Sequence, residues 1–414
     1  MQPVPIVLSA RPSSREWPDA DWATTVMARP GWRSAPFREF VLKVHGRCNL
    51  ACDYCYMYEL ADQSWRTRPG AMSTKILDQT ARRIGEHAAA HALPEVCVVF
   101  HGGEPLLAGP QFIDEASATL RAAMPSDTTL RLSVQTNAVL LNEEFLRVFD
   151  RHDIDVGVSL DGNRHANDRH RRHANGRSSY EEVVRGLRLL NRPSYRRLFS
   201  GLLCTIDVDN DPVDSYEALL EFEPPTMDFM LPHANWNEPP PHWRDDPEHT
   251  PYGDWLVAIF ERWYSAPSEE TVVRTLRAVV DEMLGGRSND EVIGLAAIRL
   301  IEVETSATVE QVCSLKSAFE GATATGFDIF SHSFDDALKH PGVVARQAGL
   351  DALSDTCMGC RVRDICGGGH YVHRYRAGSG FRHPSVYCAD LYRLVTYIAQ
   401  RIAADLRDAA EVVR

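Results

Sequence analysis

At 414 residues, with a net charge of −13 and 44% hydrophobic residues, the chain is long enough for two or three domains around sizeable cores. Its acidity argues against nonspecific nucleic-acid binding, and no run approaches the ~20 apolar residues of a membrane helix. The ten cysteines fall into metal-like spacings, which points to a reducing, cytoplasmic compartment and away from a disulfide framework.

In chain order, residues 1–37 are rich in Pro and Arg and lack the basic start and apolar core of a secretory signal. They read as an extension too short for a peptide-binding domain of its own, since units below ~40 residues rarely fold alone. Phe40 to His45 predicts a buried strand running into Gly46. From there to about residue 265, strands are expected at Glu95–Phe100, Thr129–Gln135, Asp155–Leu160, Leu198–Asp207 and Met227–Leu231. Helices are expected between them at Ser73–Ala92, Gln111–Met124, Asn142–His152, Tyr180–Asn191, Pro212–Phe222 and Tyr252–Tyr264. This alternation argues for βαβ units and a parallel sheet over residues 38–265. A stretch rich in Pro, Asp and His near 238–250 reads as a loop over the sheet's open end. A helical linker is expected over 266–300, a second domain over 301–395 and a C-terminal helix over 396–414. No internal repeat or low-complexity tract is visible.

Cys48, Cys52 and Cys55 form a C-x3-C-x2-C triplet on the loop after the first strand. Three thiolates cannot complete a tetrahedral zinc site, and iron–sulfur clusters are normally held by four cysteines. A cluster held by three keeps one iron open, which suggests catalysis. Three unrelated cysteines, or a zinc site completed by a distant histidine, are the alternatives that spacing leaves.

The triplet, with Tyr54 just before its last cysteine, resembles the radical S-adenosylmethionine (SAM) enzymes. There a [4Fe–4S] cluster binds SAM at its open iron and cleaves it to a 5′-deoxyadenosyl radical. The resemblance implies a partial (β/α)6 barrel. It extends to His101-Gly102-Gly103-Glu104-Pro105, similar to the family's GGEP element at the methionyl amine, and to Gln135-Thr136-Asn137 near the ribose. Ser159-Leu160-Asp161-Gly162 follows, with Arg171 twelve residues after Ser159. By similarity to sulfatase maturases, the expected SAM contacts are Tyr54, Gly102, Gly103, Glu104, Asn137, Ser159, Arg171 and Leu231. An arginine fork suits a carboxylate because two parallel charge-assisted bonds fix both position and orientation. The rest of Arg169–His173 reads as a solvated basic loop. His87 and His91, four apart on a helix with no acid at ligand spacing, read as an exposed helix face. Cys97 and Cys204, inside apolar strands, read as packing.

Near the C-terminus, Cys357, Cys360, Cys366 and Cys388 give C-x2-C-x5-C…C. From spacing alone, zinc and [4Fe–4S] compete evenly. The pattern resembles the SPASM extension of peptide-modifying radical SAM enzymes, which implies an auxiliary [4Fe–4S] cluster with an electron-transfer role. Full members carry ligands for a second auxiliary cluster. Here His370 stands at the expected cysteine and only Cys313 remains upstream, so that second cluster is not expected. Ser314 stands where sulfatase maturases place a proton-accepting aspartate, which disfavours formylglycine chemistry.

The segments Gly367–Tyr375, Gly380–Cys388 and Tyr58–Trp65 resemble the cyclophane-forming SPASM maturases of the FxsB type. The resemblance implies a ribosomal precursor peptide crosslinked between an aromatic ring and a neighbouring β-carbon, with an external flavodoxin- or ferredoxin-type electron donor. The expected steps are abstraction of a β-hydrogen, addition of the carbon radical to the ring, and loss of a proton and an electron. His370 and His373 are candidates for the base, with His233 also available, and none stands out from sequence. Thioether, ether or epimerising maturases and a noncatalytic metal-binding peptide receptor are the rival readings.

Overall fold

Period-two alternation sets the sheet. In Glu95–Gly102 the side chains of Val96, Val98 and Phe100 are buried on one face, and Thr129–Thr136 and Ile154–Ser159 repeat the pattern. Alternate side chains of a strand point to opposite faces, so one face of each strand meets the covering helices and the other turns toward the barrel interior. A computed structural model describes residues 18–288 and 291–412. The secretory-signal reading of the N-terminus lies outside the described residues, as do the last two positions of the expected C-terminal helix.

The helices α1 (Ala20–Met27), α2 (Thr74–Ala90), α3 (Pro110–Ala123), α4 (Glu143–His152), α5 (Arg164–His170), α6 (Tyr180–Leu190) and α7 (Pro212–Leu220) are joined by strands β1 (Glu39–His45), β2 (Glu95–Gly102), β3 (Thr129–Thr136), β4 (Ile154–Ser159), β5 (Phe199–Thr205) and β6 (Thr226–Met230). These six strands are parallel and adjacent in sequence order. Side-chain caps start the helices where the sequence places them: Ser73 accepts from the Ile76 N–H, Asn142 from Glu144 and Phe145, and Asp211 from Asp214 ahead of Pro212. Helix α8 (Pro251–Tyr264) packs against the C-terminal helix Cys388–Val412. Among the described residues no helix is long and apolar enough to cross a membrane.

The sheet is larger than expected. The 266–300 segment holds one helix, α9 (Arg274–Met283), and contributes β7 (Val272–Val273), which extends the sheet beyond β6. On the other edge β8 (Leu300–Val303) pairs parallel to β1, followed by the antiparallel β9 (Thr308–Glu310) and β10 (Ala324–Asp328). The resulting order is β10-β9-β8-β1-β2-β3-β4-β5-β6-β7. Pairing satisfies the edge groups that β1 and β6 would otherwise leave open. Strands β7 and β8, from the segment expected as a linker and from the start of the expected second domain, thus pair into the same sheet as β1–β6. The C-terminal helix begins at Cys388, and the Asp390 carboxylate accepts from the Tyr252 and Gly253 N–H groups at 2.9 and 2.8 Å, capping α8. At the N-terminus, Ala23 and Val26 of α1 bury against Val344, Ala348 and Ala352.

Candidate active site

The loop after β1 puts Cys48, Cys52 and Cys55 on the wall of a cavity of about 200 Å³ at the C-terminal ends of the parallel strands, the end at which (β/α) barrels carry their chemistry. All three thiols are free and half-buried. The Cys48 sulfur accepts from the Leu50 N–H at 3.4 Å and from Asn137 Nδ2 at 3.6 Å. Burial pushes the Cys48 thiol up to about 12 and Cys55 up to about 11, and it raises Cys52 as well. Such thiols ionise when a metal takes the proton's place, so cluster binding and deprotonation are one event. The set offers three soft donors.

Across the cavity, Arg171 Nη1 donates to the Tyr54 hydroxyl at 2.9 Å, and that hydroxyl donates to the buried Asp161 carboxylate. Arg171 Nε is buried and has no partner. A buried unpaired guanidinium N–H is costly, and a ligand carboxylate is the group that satisfies it with good geometry. Gln135 Nε2 donates to Ser159 Oγ at 2.9 Å, and Asn137 Nδ2 donates to Asn49 Oδ1 at 2.8 Å. Gly102, Gly103 and Leu231 complete the wall. Seven of the eight residues expected around SAM thus share one cavity with the triplet.

Glu104 is the eighth, and it lies outside that lining. Its Oε1 accepts from Thr136 Oγ1 at 2.6 Å and the Leu106 N–H at 2.9 Å, and its Oε2 from the Asn137 N–H at 2.8 Å. Glu104 braces the end of β3 and so positions Asn137. The adjacent glycines have a reason other than ligand approach. A Cβ on Gly103 would lie 1.7 Å from the Tyr58 hydroxyl and 2.5 Å from the Arg47 carbonyl, and one on Gly102 would lie 2.1 Å from the His45 carbonyl. Both glycines let the loops after β1 and β2 pack together, and Gly102 has φ +152°.

The four C-terminal cysteines come together as expected. Cys357, Cys360, Cys366 and Cys388 line one pocket of about 60 Å³ with Gly368, Ser385 and Leu391. Burial and the neighbouring sulfurs push Cys366 up to about 11 and Cys388 up to about 12. Cys313 lies elsewhere. It lines a cavity of about 610 Å³ with Ser314, His233, His370 and His373. Its N–H donates to Glu302 Oε1 at 2.6 Å, and its sulfur contacts the Tyr56 hydroxyl at 3.3 Å. Glu302 on β8 faces the fully buried Lys43 of β1, with Nζ to Oε2 at 3.4 Å. This buried pair was missed because strand β8 carries only the short apolar signal Leu-Ile-Glu-Val. Tyr56, Met230, Leu231 and His233 line both cavities, which therefore share a wall.

Four expectations need correction. His87 is 3% exposed, its ring among Phe37, Phe40 and Phe334, and Asp335 supplies the missing acid at 2.7 Å from His87 and 2.9 Å from His91. The basic run is paired, not solvated: it ends helix α5, Arg169 bonds Asp207 and Asp209, and His170 bonds Asp53 and Asp207. Cys204 is core, whereas Cys97 is only half-buried on the opposite face of β2 from Val96 and Val98. The 238–250 loop contributes nothing to the triplet's cavity. It lines a groove beside Cys388 instead, anchored by a 2.8 Å bond from Trp236 Nε1 to the Pro384 carbonyl.

Residues 42–219 match the profile of the radical SAM superfamily. The chain is 37% identical over 157 residues to a serine-type anaerobic sulfatase-maturating enzyme of Klebsiella aerogenes, covering 38% of this chain and 37% of that protein. It is 29% identical over 145 residues to a cysteine-type anaerobic sulfatase-maturating enzyme of Clostridium novyi, covering 35% and 38%. The matches thus span under two-fifths of the length of these curated relatives. Among solved structures, native anSMEcpe with bound AdoMet superposes with a TM-score of 0.75 at 19% identity, covering 91% of this chain and 100% of that one. Streptococcus suis SuiB bound to its precursor peptide SuiA gives 0.57 at 14% identity, covering 89% and 79%. At these identities the structural likeness speaks for the fold. Within that fold, residues 42–219 are the part of the chain that matches the radical SAM superfamily profile.

Proposed function

We propose that this protein is a radical SAM peptide maturase that joins an aromatic side chain to the β-carbon of a nearby residue in a ribosomal precursor peptide. The observation that carries this reading is the presence of two cysteine sites of different kind: three thiols opening on a cavity into which Arg171 brings a buried Nε without a partner, and four lining a pocket of their own. SAM and a [4Fe–4S] cluster would supply a hydrogen-abstracting radical in the first cavity. Cys48, Cys52 and Cys55 hold that cluster. Arg171, oriented by Tyr54 and Asp161, grips the methionyl carboxylate, while Gly102, Gly103, Asn137, Ser159 and Leu231 surround the rest and Glu104 positions Asn137. The peptide enters the adjoining 610 Å³ cavity. Loss of one hydrogen atom, one proton and one electron from the peptide closes the ring. The quartet Cys357, Cys360, Cys366 and Cys388 would hold an auxiliary [4Fe–4S] cluster, which would supply an acceptor for the electron, and an external flavodoxin- or ferredoxin-type donor would serve the first site. Burial holds His233 at about 3 and His373 well below its ordinary value, so both are neutral and offer the proton a nitrogen; the ring of His370 lies beside them.

Formylglycine formation is the second reading, favoured by the similarity to the sulfatase-maturating enzymes of Klebsiella and Clostridium. Ser314 beside Cys313 offers no carboxylate for it. Co-expression with peptides encoded beside the gene, followed by tandem mass spectrometry, separates the two. A cyclophane gives a product two hydrogens lighter whose fragmentation stops across a closed ring. Formylglycine gives an aldehyde that reacts with a hydrazide probe, and that outcome would overturn the crosslink.

A further inference from the structure

The 610 Å³ cavity gathers three histidines where the proposed chemistry requires a single proton acceptor. His233 lies just beyond β6, while His370 caps the 3-10 turn Tyr371–Arg374 and His373 lies within it. One ring nitrogen from each lies within 4.8 Å of the other two. The ring centroids are 5.1 Å apart for His370 and His373, 5.4 Å for His233 and His370, and 6.1 Å for His233 and His373.

These imidazoles are poorly satisfied. His373 is 2% exposed, and both of its ring nitrogens lie buried without a hydrogen bond of normal geometry, although the Pro232 carbonyl is near enough to favour its protonated form. His233 Nδ1 is likewise buried and unpaired. Leaving such groups buried and unpaired is costly. Packing alone gives no reason to bring three imidazoles together in that state.

We infer that His233, His370 and His373 form a site for one divalent transition cation of the zinc type. Three imidazoles are the donor set of an open zinc site. Zinc–nitrogen bonds of about 2.0–2.1 Å require each ring nitrogen to move by under about 1 Å from its present place. His370 already has the outer partner of a metal-bound histidine, because its Nε2 faces Glu291 Oε2 at 3.4 Å and leaves Nδ1 to point elsewhere. Nδ1 accepts only a long bond, 3.3 Å, from the Val372 N–H. Two neighbouring cations are already engaged: Arg374 donates to the carbonyls of Gly367, Gly368 and Gly369, and Arg346 pairs with Glu291 at 2.8 Å. Cys313 lines the same cavity but is held by Tyr56 and Glu302, so the fourth position faces open space where a water or a substrate group can bind.

Binding of the cation stands independently of the proposed reaction. Its role in that reaction rests on the reading above: with the cation bound, proton acceptance passes from a bare imidazole to a metal-bound water, whose pKa such sites bring to about 7.

The test uses the full chain with both cysteine sites reconstituted with iron and sulfide, so that thiols do not compete, and zinc alone as probe. After dialysis and gel filtration, elemental analysis should find about one zinc per chain. Zinc-edge X-ray absorption should show a nitrogen and oxygen shell without sulfur. His233→Ala and His373→Ala should lose the zinc and keep their iron. Glu291→Gln should weaken retention by about tenfold, and His91→Ala, at the separate cluster with Asp335, should change nothing. No zinc above background, a sulfur-ligated zinc, or zinc that survives both alanine variants or departs in His91→Ala would overturn the site. The absorption spectrum of the unmutated protein decides the matter even if a variant fails to fold. A crosslink formed without zinc would leave the site standing and remove only its role in proton transfer.

Discussion

The triplet and the quartet are built from the same side chain, and they differ in what surrounds it. Cys48, Cys52 and Cys55 sit at a strand end over a cavity of about 200 Å³ whose far wall carries Arg171, Ser159 and Asn137. Cys357, Cys360, Cys366 and Cys388 line about 60 Å³ with Arg363, and the charge of Arg374 reaches Cys366. Three donors and an open wall make a place for chemistry, while four donors and a closed wall suit electron storage. The intervening 610 Å³ cavity holds Cys313 alone among the cysteines, with three histidines in place of further sulfur.

The sharpest break in this comparison comes from Cys52→Ala. It should abolish 5′-deoxyadenosine formation and remove about half of the roughly eight irons expected for two cubane clusters. Undiminished SAM cleavage would end the radical SAM assignment of the triplet, and a reproducible third cluster involving Cys313 and His370 would end the two-site count. Next in size, Cys366→Ala should still release some deoxyadenosine yet stop short of the crosslink, because the electron left after radical addition has no acceptor. Repeated crosslinking by a variant shown to lack the auxiliary cluster would refute that route.

Arg171→Lys should act on binding more than on radical formation. Losing the planar fork costs about 1.5–3 kcal/mol per charged hydrogen bond, so the SAM concentration for half-maximal cleavage should rise by about tenfold to a hundredfold. The iron content should stay unchanged, and an unaltered SAM affinity would remove Arg171 from the carboxylate site. The smallest effect concerns pH. His101 lines the triplet's cavity, and burial together with the charge of Lys43 lowers it to about 3. A histidine with a depressed folded pKa supports stability fully above its ordinary value near 6.5 and loses that support as pH falls toward 3. His101→Gln should flatten the acid limb of the stability curve at the triplet end, and a limb of unchanged steepness would show that other groups carry it.

Much of the barrel was legible because its signals are local. The six central strands and their helices differ from expectation by one or two residues at their ends, the usual uncertainty of helix and strand termini. Cys48, Cys52, Cys55 and the loop residues after β2, β3 and β4 sit at fixed offsets from those strands, so chain spacing alone brings them to one end of the sheet. Strand β8 was not legible: its four residues find β1 only once the helical layer is in place, and its Glu302 is tolerable only because Lys43 lies opposite. Asp335, which reaches α2 from the other end of the chain, was hidden for the same reason.

By itself, the sequence determined which residues can bind metal and in what groupings, because ligand spacing within a loop or turn is a local property of the backbone. Only the tertiary structure decided what each grouping faces. Arg171 left its basic run to become a buried, partly unpaired donor over the triplet. Glu104 turned from the cavity to brace Asn137. His233 met His370 and His373 across more than a hundred residues of intervening chain. Contacts of that range are set by the packing of sheet edges and loops around one core, where burial fixes the cost of every unpaired polar atom, and no local pattern in the chain encodes that cost.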